Sequence, residues 1–189
     1  MSLSLIFGGA RSGKSAYAEQ LAHRLSANGG KQVIYLATAA AADSEMQQRI
    51  AHHQSRRPAD WLTVEQTTAL GRAIRKYSQP GTVLLIDCLT VWLSNLLFSD
   101  NTEFPEVGQI TPPALFAEQR SDMLNALEQA EGDVILVSNE VGMGIVPMGA
   151  ISRWFVDEAG RLNQAVAASC DNVVWVAAGL PLFLKGTAC

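Results

Sequence analysis

The sequence predicts an α/β fold, a mostly parallel β-sheet with helices on both faces, from three observations. Apolar runs of strand length alternate with helical patterns along the whole chain. Several of these runs are apolar on both faces, as strands buried inside a parallel sheet are. A glycine-rich segment, "GGARSGKS" from Gly8 to Ser15, stands between the first run and the first helical pattern.

Taken in order, strands are expected at Leu3–Phe7, Gln32–Thr38, Trp61–Gln66, Thr82–Asp87, Asp133–Asn139 and Asp171–Ala178, each rich in Val, Ile, Leu or aromatic residues. Between them, apolar residues recur at helical spacing near 14–27, 43–56, 67–77, 90–98, 112–130 and 149–169. The segment Ser99 to Pro113, with three prolines, reads as a long loop. A chain of 189 residues, 48% of them hydrophobic, fills one core, so a single domain over 1–189 is expected.

Composition narrows the function. Eighteen acidic against 14 basic residues give a net charge of −4, without the basic excess of a nucleic-acid groove. Arg11 and Lys14 fall inside the glycine motif rather than before an apolar leader, and no apolar run approaches the roughly 20 residues that span a bilayer. A cytoplasmic protein is expected. Cys88, Cys170 and Cys189 are too scattered for a disulfide framework or zinc cluster and read as two small core residues and a terminal thiol.

Gly8-x-x-x-x-Gly13-Lys14-Ser15 matches the phosphate-binding P-loop in full, with a strand before it and a helix after it. Such a loop curls so that successive N–H groups face the phosphates, and the following helix adds its positive end. Lys14 is expected to reach the β- and γ-phosphates and the Ser15 hydroxyl to ligate Mg²⁺. A second Mg²⁺ ligand belongs at the tip of a neighbouring strand, where "LLIDC" places Asp87; an Asp in that position also serves simply to cap the next helix. The fold class becomes that of a P-loop NTPase of RecA-like type.

Three histidines are present, His23, His52 and His53. His23 lies among residues of mixed polarity and reads as structural. In "EMQQRIAHHQSRRPADW", Met46, Ile50 and His53 share one helical face with Arg49 and Arg57, while His52 points about 100° away. Periodicity by itself favours an ordinary helix with a half-buried histidine. In "NEVGMGIVP", Glu140 is expected at the carboxyl edge of the sheet, where ligands of open α/β folds bind, with Gly142 and Gly144 letting the loop approach a bulky ligand; a plain solvated turn fits as well.

Together, "GGARSGKS", the pattern Arg49-Ile50-x-x-His53-x-x-x-Arg57-Pro58 and "NEVGMGIVP" resemble the bifunctional adenosylcobinamide kinase / adenosylcobinamide-phosphate guanylyltransferase family of cobalamin biosynthesis, in order and spacing over nearly the whole chain. The resemblance implies two reactions: transfer of a γ-phosphoryl group from ATP or GTP to adenosylcobinamide, then transfer of GMP from GTP to the product through a GMP-histidine intermediate. By motif position that histidine is His53, with Lys14 serving both steps. Family likeness further implies nucleotide contacts from Gly8, Gly9, Ala10, Arg11, Ser12, Gly13, Lys14 and Ser15, from Ala37, Thr38 and Ala39, from Gln54, Ser55, Arg56 and Arg57, and from Glu65 and Asp87. Either Glu65 or Asp87 could read guanine; if Asp87 does, its metal role weakens. Glu140 becomes a secondary contact to metal, phosphate or corrinoid. The likeness also implies a homotrimer acting on a corrinoid small molecule.

Overall fold

The computed structural model describes residues 1–39, 58–100 and 102–187. In chain order the elements are β1 (Leu3–Gly8), α1 (Lys14–Gly29), β2 (Gln32–Ala37), β3 (Leu62–Glu65), α2 (Leu70–Tyr77), β4 (Thr82–Asp87), α3 (Leu89–Leu97), α4 (Ala114–Glu128), β5 (Asp133–Asn139), α5 (Ala150–Ser169), β6 (Asn172–Ala177) and β7 (Leu180–Lys185). All six expected strands are present. The helical pattern at 43–56, with both of its histidines, lies outside the described residues.

One seven-stranded sheet runs in the order β3-β2-β4-β5-β1-β6-β7. Every neighbouring pair is parallel except β6–β7. Because side chains alternate across a strand, each buried strand feeds two cores. On β4, Val83 and Leu85 join Ala18, Leu21 and Ala22 of α1 on one face. Leu84 and Ile86 join α2, α3, α4 and α5 on the other. Helix α3, "LTVWLSNLL", is buried nearly all round, with Leu89, Trp92, Leu93, Leu96 and Leu97 in the core, which explains a sequence almost without charge. Helix α2 is one-sided: Leu70, Ala73 and Ile74 are buried, while Arg75 reaches out to pair with Asp122 of α4 at 2.6 Å.

Strand β7 was not anticipated. Ala178 (φ 51°) and Gly179 (φ 78°) form a two-residue turn with positive φ at both positions, the geometry that matches the twist of an antiparallel hairpin. It returns the chain along the sheet edge with Leu180, Leu182 and Leu184 exposed. Cys88 and Cys170 are buried core thiols, as expected; burial, with the Asp87 carboxylate beside it, pushes the Cys88 thiol up to about 11, and burial pushes Cys170 up to about 12. No helix among the described residues is long and apolar enough to cross a membrane.

Candidate nucleotide site

The glycine-rich loop leaves the carboxyl end of β1, near the centre of the sheet, and enters α1 at Lys14. Two of its glycines are required by shape. At Gly8 a Cβ would lie 2.2 Å from the Val176 carbonyl oxygen, so the loop can leave the sheet there only without a side chain. Gly13 has φ 98°, a left-handed conformation that L side chains rarely adopt, and its Cβ would meet Gly179 at 3.1 Å. The β6–β7 turn thus braces the loop from beneath, and the Gly179 amide donates to the Ser12 carbonyl at 2.8 Å.

Within the loop, the Ser12 amide donates to the Gly9 carbonyl, and Arg11 also takes a positive φ, 55°. Ala10 and Arg11 are exposed. The first amides of α1 have no intrahelical acceptor, so the loop presents donors and a positive helix end together. Lys14 is 8% exposed, and its ammonium donates to the Gly9 carbonyl at 3.1 Å, folding the side chain back over the loop. Burial lowers its pKa, with Cys88 and Asp87 offsetting part of that effect. The Ser12 Oγ is buried and has no hydrogen-bond partner among the described residues. Among the described residues the Ser15 hydroxyl has none either.

Three of the expected contacts stand in one row. Register pairs Ala37 of β2 with Glu65 of β3 and with Asp87 of β4, so these residues end three neighbouring strands at one level. Asp87 follows Val83 and Leu85 on the face that carries α1, and its Oδ2 accepts from the Tyr35 hydroxyl, two residues before Ala37, at 3.0 Å. At the usual strand spacing, Glu65 and Asp87 stand about 10 Å apart, and β1 lies about 10 Å beyond Asp87 on the other side. The row therefore reads phosphate loop, Asp87, Ala37, Glu65 along the sheet edge. Glu65 is exposed and Asp87 half-buried.

Thr38 is fully buried. Its hydroxyl donates to the Cys88 carbonyl and accepts from the Cys88 amide, both at 2.8 Å, and so fixes the chain just after Asp87. Ala39 follows, half-buried. Asn95 of α3 donates to the Thr38 carbonyl at 2.8 Å and to the Thr67 carbonyl at 3.0 Å, stapling the loops after β2 and β3 together. Glu140 lies beside the P-loop, its amide donating to the Gly8 carbonyl at 3.0 Å and its carboxylate accepting from the Gly142 amide at 2.6 Å. His53, Gln54, Ser55, Arg56 and Arg57 lie outside the described residues. Sequence reasoning missed Tyr35, Asn95 and the β6–β7 turn.

Magnesium takes hard oxygen ligands, few from protein and the rest from phosphates and water. The Ser15 hydroxyl and the Asp87 carboxylate are such donors, and Lys14 beside Asp87 places both near the phosphate loop. No cluster of three or more His, Cys, Asp or Glu is found among the described residues. The residues fit a phosphate-borne Mg²⁺.

A mostly parallel sheet with a phosphate loop at a strand beside its centre and a carboxylate on a nearby tip defines a P-loop NTPase fold. The fold is similar to that of flagellar accessory protein FlaH from Methanocaldococcus jannaschii (TM-score 0.52, 14% identity, 98% of this chain and 79% of that one). It is also similar to a KaiC-like protein from Pyrococcus horikoshii OT3 (TM-score 0.51, 13% identity, 92% of this chain and 70% of that one). Residues 4–184 match the family described as cobinamide kinase / cobinamide phosphate guanyltransferase, and the chain belongs to that family. It is 48% identical over 182 residues to the bifunctional adenosylcobalamin biosynthesis protein CobP of Pseudomonas aeruginosa, covering 96% of both chains. It is 40% identical over 188 residues to the corresponding CobU protein of Escherichia coli, covering 96% of this chain and 98% of that one. The family carries two activities, cobinamide kinase and cobinamide phosphate guanylyltransferase.

Proposed function

We propose that this chain performs both reactions at the one nucleotide site, with His53 as the covalent carrier of GMP. In the first reaction the hydroxyl oxygen of the aminopropanol arm of adenosylcobinamide bonds to the γ-phosphorus of ATP or GTP and the nucleoside diphosphate leaves. In the second, an imidazole nitrogen of His53 bonds to the α-phosphorus of GTP and pyrophosphate leaves. The phosphate of the first product then attacks the α-phosphorus, freeing His53 and giving adenosylcobinamide-GDP. A neutral imidazole is a competent nucleophile near neutral pH, and the phosphoramidate it forms is reactive enough to pass GMP on.

The single observation that carries this reading is the row along the sheet edge. Lys14 and the loop amides take the phosphates; Asp87, the nearer carboxylate, joins Ser15 as a Mg²⁺ ligand; Glu65, about four strand spacings from β1, lies at the far end, within reach of a base. A bound Mg²⁺ would supply charge neutralisation on the phosphate oxygens. A carboxylate at Glu65 can accept both N1–H and the exocyclic amine of guanine, which distinguishes GTP from ATP. Gly9 and Gly13, Ala37 to Ala39 and residues 54–57 complete the nucleotide contacts, Arg57 stabilising phosphate charge next to His53. The corrinoid is the acceptor, the setting cytoplasmic and the assembly a homotrimer, a state supported by the exposed Leu180, Leu182 and Leu184 of edge strand β7.

Incubation with Mg²⁺ and GTP labelled at the α-phosphate is expected to leave acid-labile, alkali-stable label on the protein, whereas γ-label should not remain. His53→Ala abolishes labelling and His52→Ala keeps it. Label on the His53→Ala protein, or label that adenosylcobinamide phosphate cannot discharge, overturns the carrier assignment.

A further inference from the structure

Between Glu140 and Ser152 the sequence reads "VGMGIVPMGAI", eleven consecutive residues without a polar or charged side chain. Such a run would ordinarily be a buried strand or helix. Here most of it is a loop, and it faces solvent: Met143 is 76% exposed, Ile145 98%, Val146 71% and Met148 92%. An apolar patch of this kind on a soluble protein marks a binding surface.

Its position says what it meets. The loop starts at Glu140, whose amide is bonded to the carbonyl of Gly8, the first residue of the P-loop motif. It ends at α5, where Arg153 donates to the Pro147 and Met148 carbonyls. Both ends are held, while the backbone of Met143, Gly144, Ile145 and Val146 makes no hydrogen bond among the described residues. Beyond the anchor, Arg153 also lines a cleft of about 300 Å³ with Gln109, Ile110, Trp154 and Asp157. An apolar surface therefore runs from the phosphate loop to a cleft walled by an aromatic ring and hydrogen-bonding groups.

We propose that this surface, loop 141–148 with the adjoining cleft, docks the corrin macrocycle of the substrate. The inference rests on the corrinoid acceptor named above and adds where its ring sits. The ligand class follows from the chemistry of the surface. A nucleotide would need charge, which the loop lacks. A corrinoid is a broad ring rimmed with methyl groups and with amide arms: thioethers and aliphatic side chains cover the methyls, two pliable methionines adapt to a curved rim, and unpartnered backbone carbonyls accept from the amides. The acceptor arm must bring its hydroxyl to the nucleotide phosphates while the ring stays outside the cradle. A ring on this loop satisfies that condition because the loop begins where the cradle begins.

The test uses the whole enzyme and adenosylcobinamide itself. Ile145 is exposed almost completely and holds nothing in the fold, so Ile145→Ser leaves folding untouched; its expected effect is a rise of about threefold in the KM for adenosylcobinamide. The triple variant Met143→Ser, Ile145→Ser, Met148→Ser should raise that KM about tenfold or more and weaken the corrinoid retained in equilibrium dialysis by the same factor. The KM for GTP, the labelling of the protein by α-labelled GTP and the sedimentation of the assembly should stay as in the parent. A corrinoid KM within about twofold of the parent in the triple variant overturns the proposal. So does a triple variant that dissociates into smaller species with corrinoid affinity intact, since the patch would then belong to a subunit contact. Loss of corrinoid retention in an enzyme whose parent takes no α-label would uphold the docking surface while removing the histidine carrier.

Discussion

The Tyr35 hydroxyl donates to Asp87 Oδ2 at 3.0 Å, joining two strands on the face that carries the P-loop helix. The bond fixes one oxygen of the carboxylate; in the proposed reading the other is the one offered to the metal. Tyr35→Phe is therefore expected to cost about 0.5–1.5 kcal/mol of stability, the net worth of one hydrogen bond. The Mg²⁺ concentration needed for half-maximal activity should rise several-fold in both reactions. A titration of rate against Mg²⁺ checks this; an unchanged midpoint in the variant, and in Asp87→Asn, would take Asp87 out of the metal's reach.

Glu65 ends β3 at the level of Ala37 and Asp87 and is the farther of the two carboxylates from the phosphate loop. Its expected work is base recognition. Glu65→Gln should lower guanylyl transfer from GTP about 10- to 100-fold, because the amide accepts from one guanine donor at most and turns its own N–H toward the other. Phosphoryl transfer from ATP should change less than about twofold. Parallel assays with the two nucleotides read the ratio directly, and an equal fall in both would assign Glu65 to something other than guanine.

The parallel sheet, the P-loop and the carboxylate at the end of β4 were legible in the sequence because each has a local signature: two-faced apolar runs, a fixed glycine spacing, an Asp after "VLLI". Strand β7 was not. "LPLFLK" carries a proline and follows β6 after only Ala178 and Gly179, so it reads as the tail of the preceding strand until the turn's positive φ values are known. The alternation of Leu180, Leu182 and Leu184 was the signal available. Tyr35 and Asn95 were missed for a different reason. Each sits in an apolar run that reads as pure core, and its polar tip finds partners 52 and 57 residues away in sequence, a relation that only register and helix placement create. The order of Asp87 and Glu65 along the sheet edge was hidden for the same reason, since it depends on the crossovers and not on spacing.

At the opposite end of the sheet, the Asp133 carboxylate, 3% exposed, accepts from the Ser2 amide at 2.7 Å and pairs with Lys31 at 2.5 Å. Burial alone would raise its pKa; the Lys31 ammonium and the Ser2 amide and hydroxyl outweigh that and hold the carboxyl below its usual value. A depressed folded-state pKa contributes stability that is present above the unfolded value of about 3.9 and lost as pH falls through the lower folded value. Asp133→Asn should thus cost about 1–3 kcal/mol near neutral pH, since the charge-assisted bonds from Lys31 and Ser2 are weakened or lost. The gap between parent and variant should narrow below about pH 4. Urea unfolding at pH 7 and pH 3 measures both; a gap that is constant, or wider at pH 3, contradicts the assignment.

In the proposed chemistry one cradle serves attack at two phosphorus atoms, and Lys14 is the residue common to both. Burial disfavours its charge, so Lys14→Ala should cost the fold little while removing the cation that nucleotide phosphates require. The deciding measurement runs the two reactions side by side on one preparation of Lys14→Ala: phosphorylation of adenosylcobinamide, and GMP transfer from GTP to supplied adenosylcobinamide phosphate. A joint fall of about 100- to 1,000-fold is expected, the loss typical of removing one charge-stabilising group. Either activity persisting near the parent's rate would mean two separate nucleotide sites and would contradict the account.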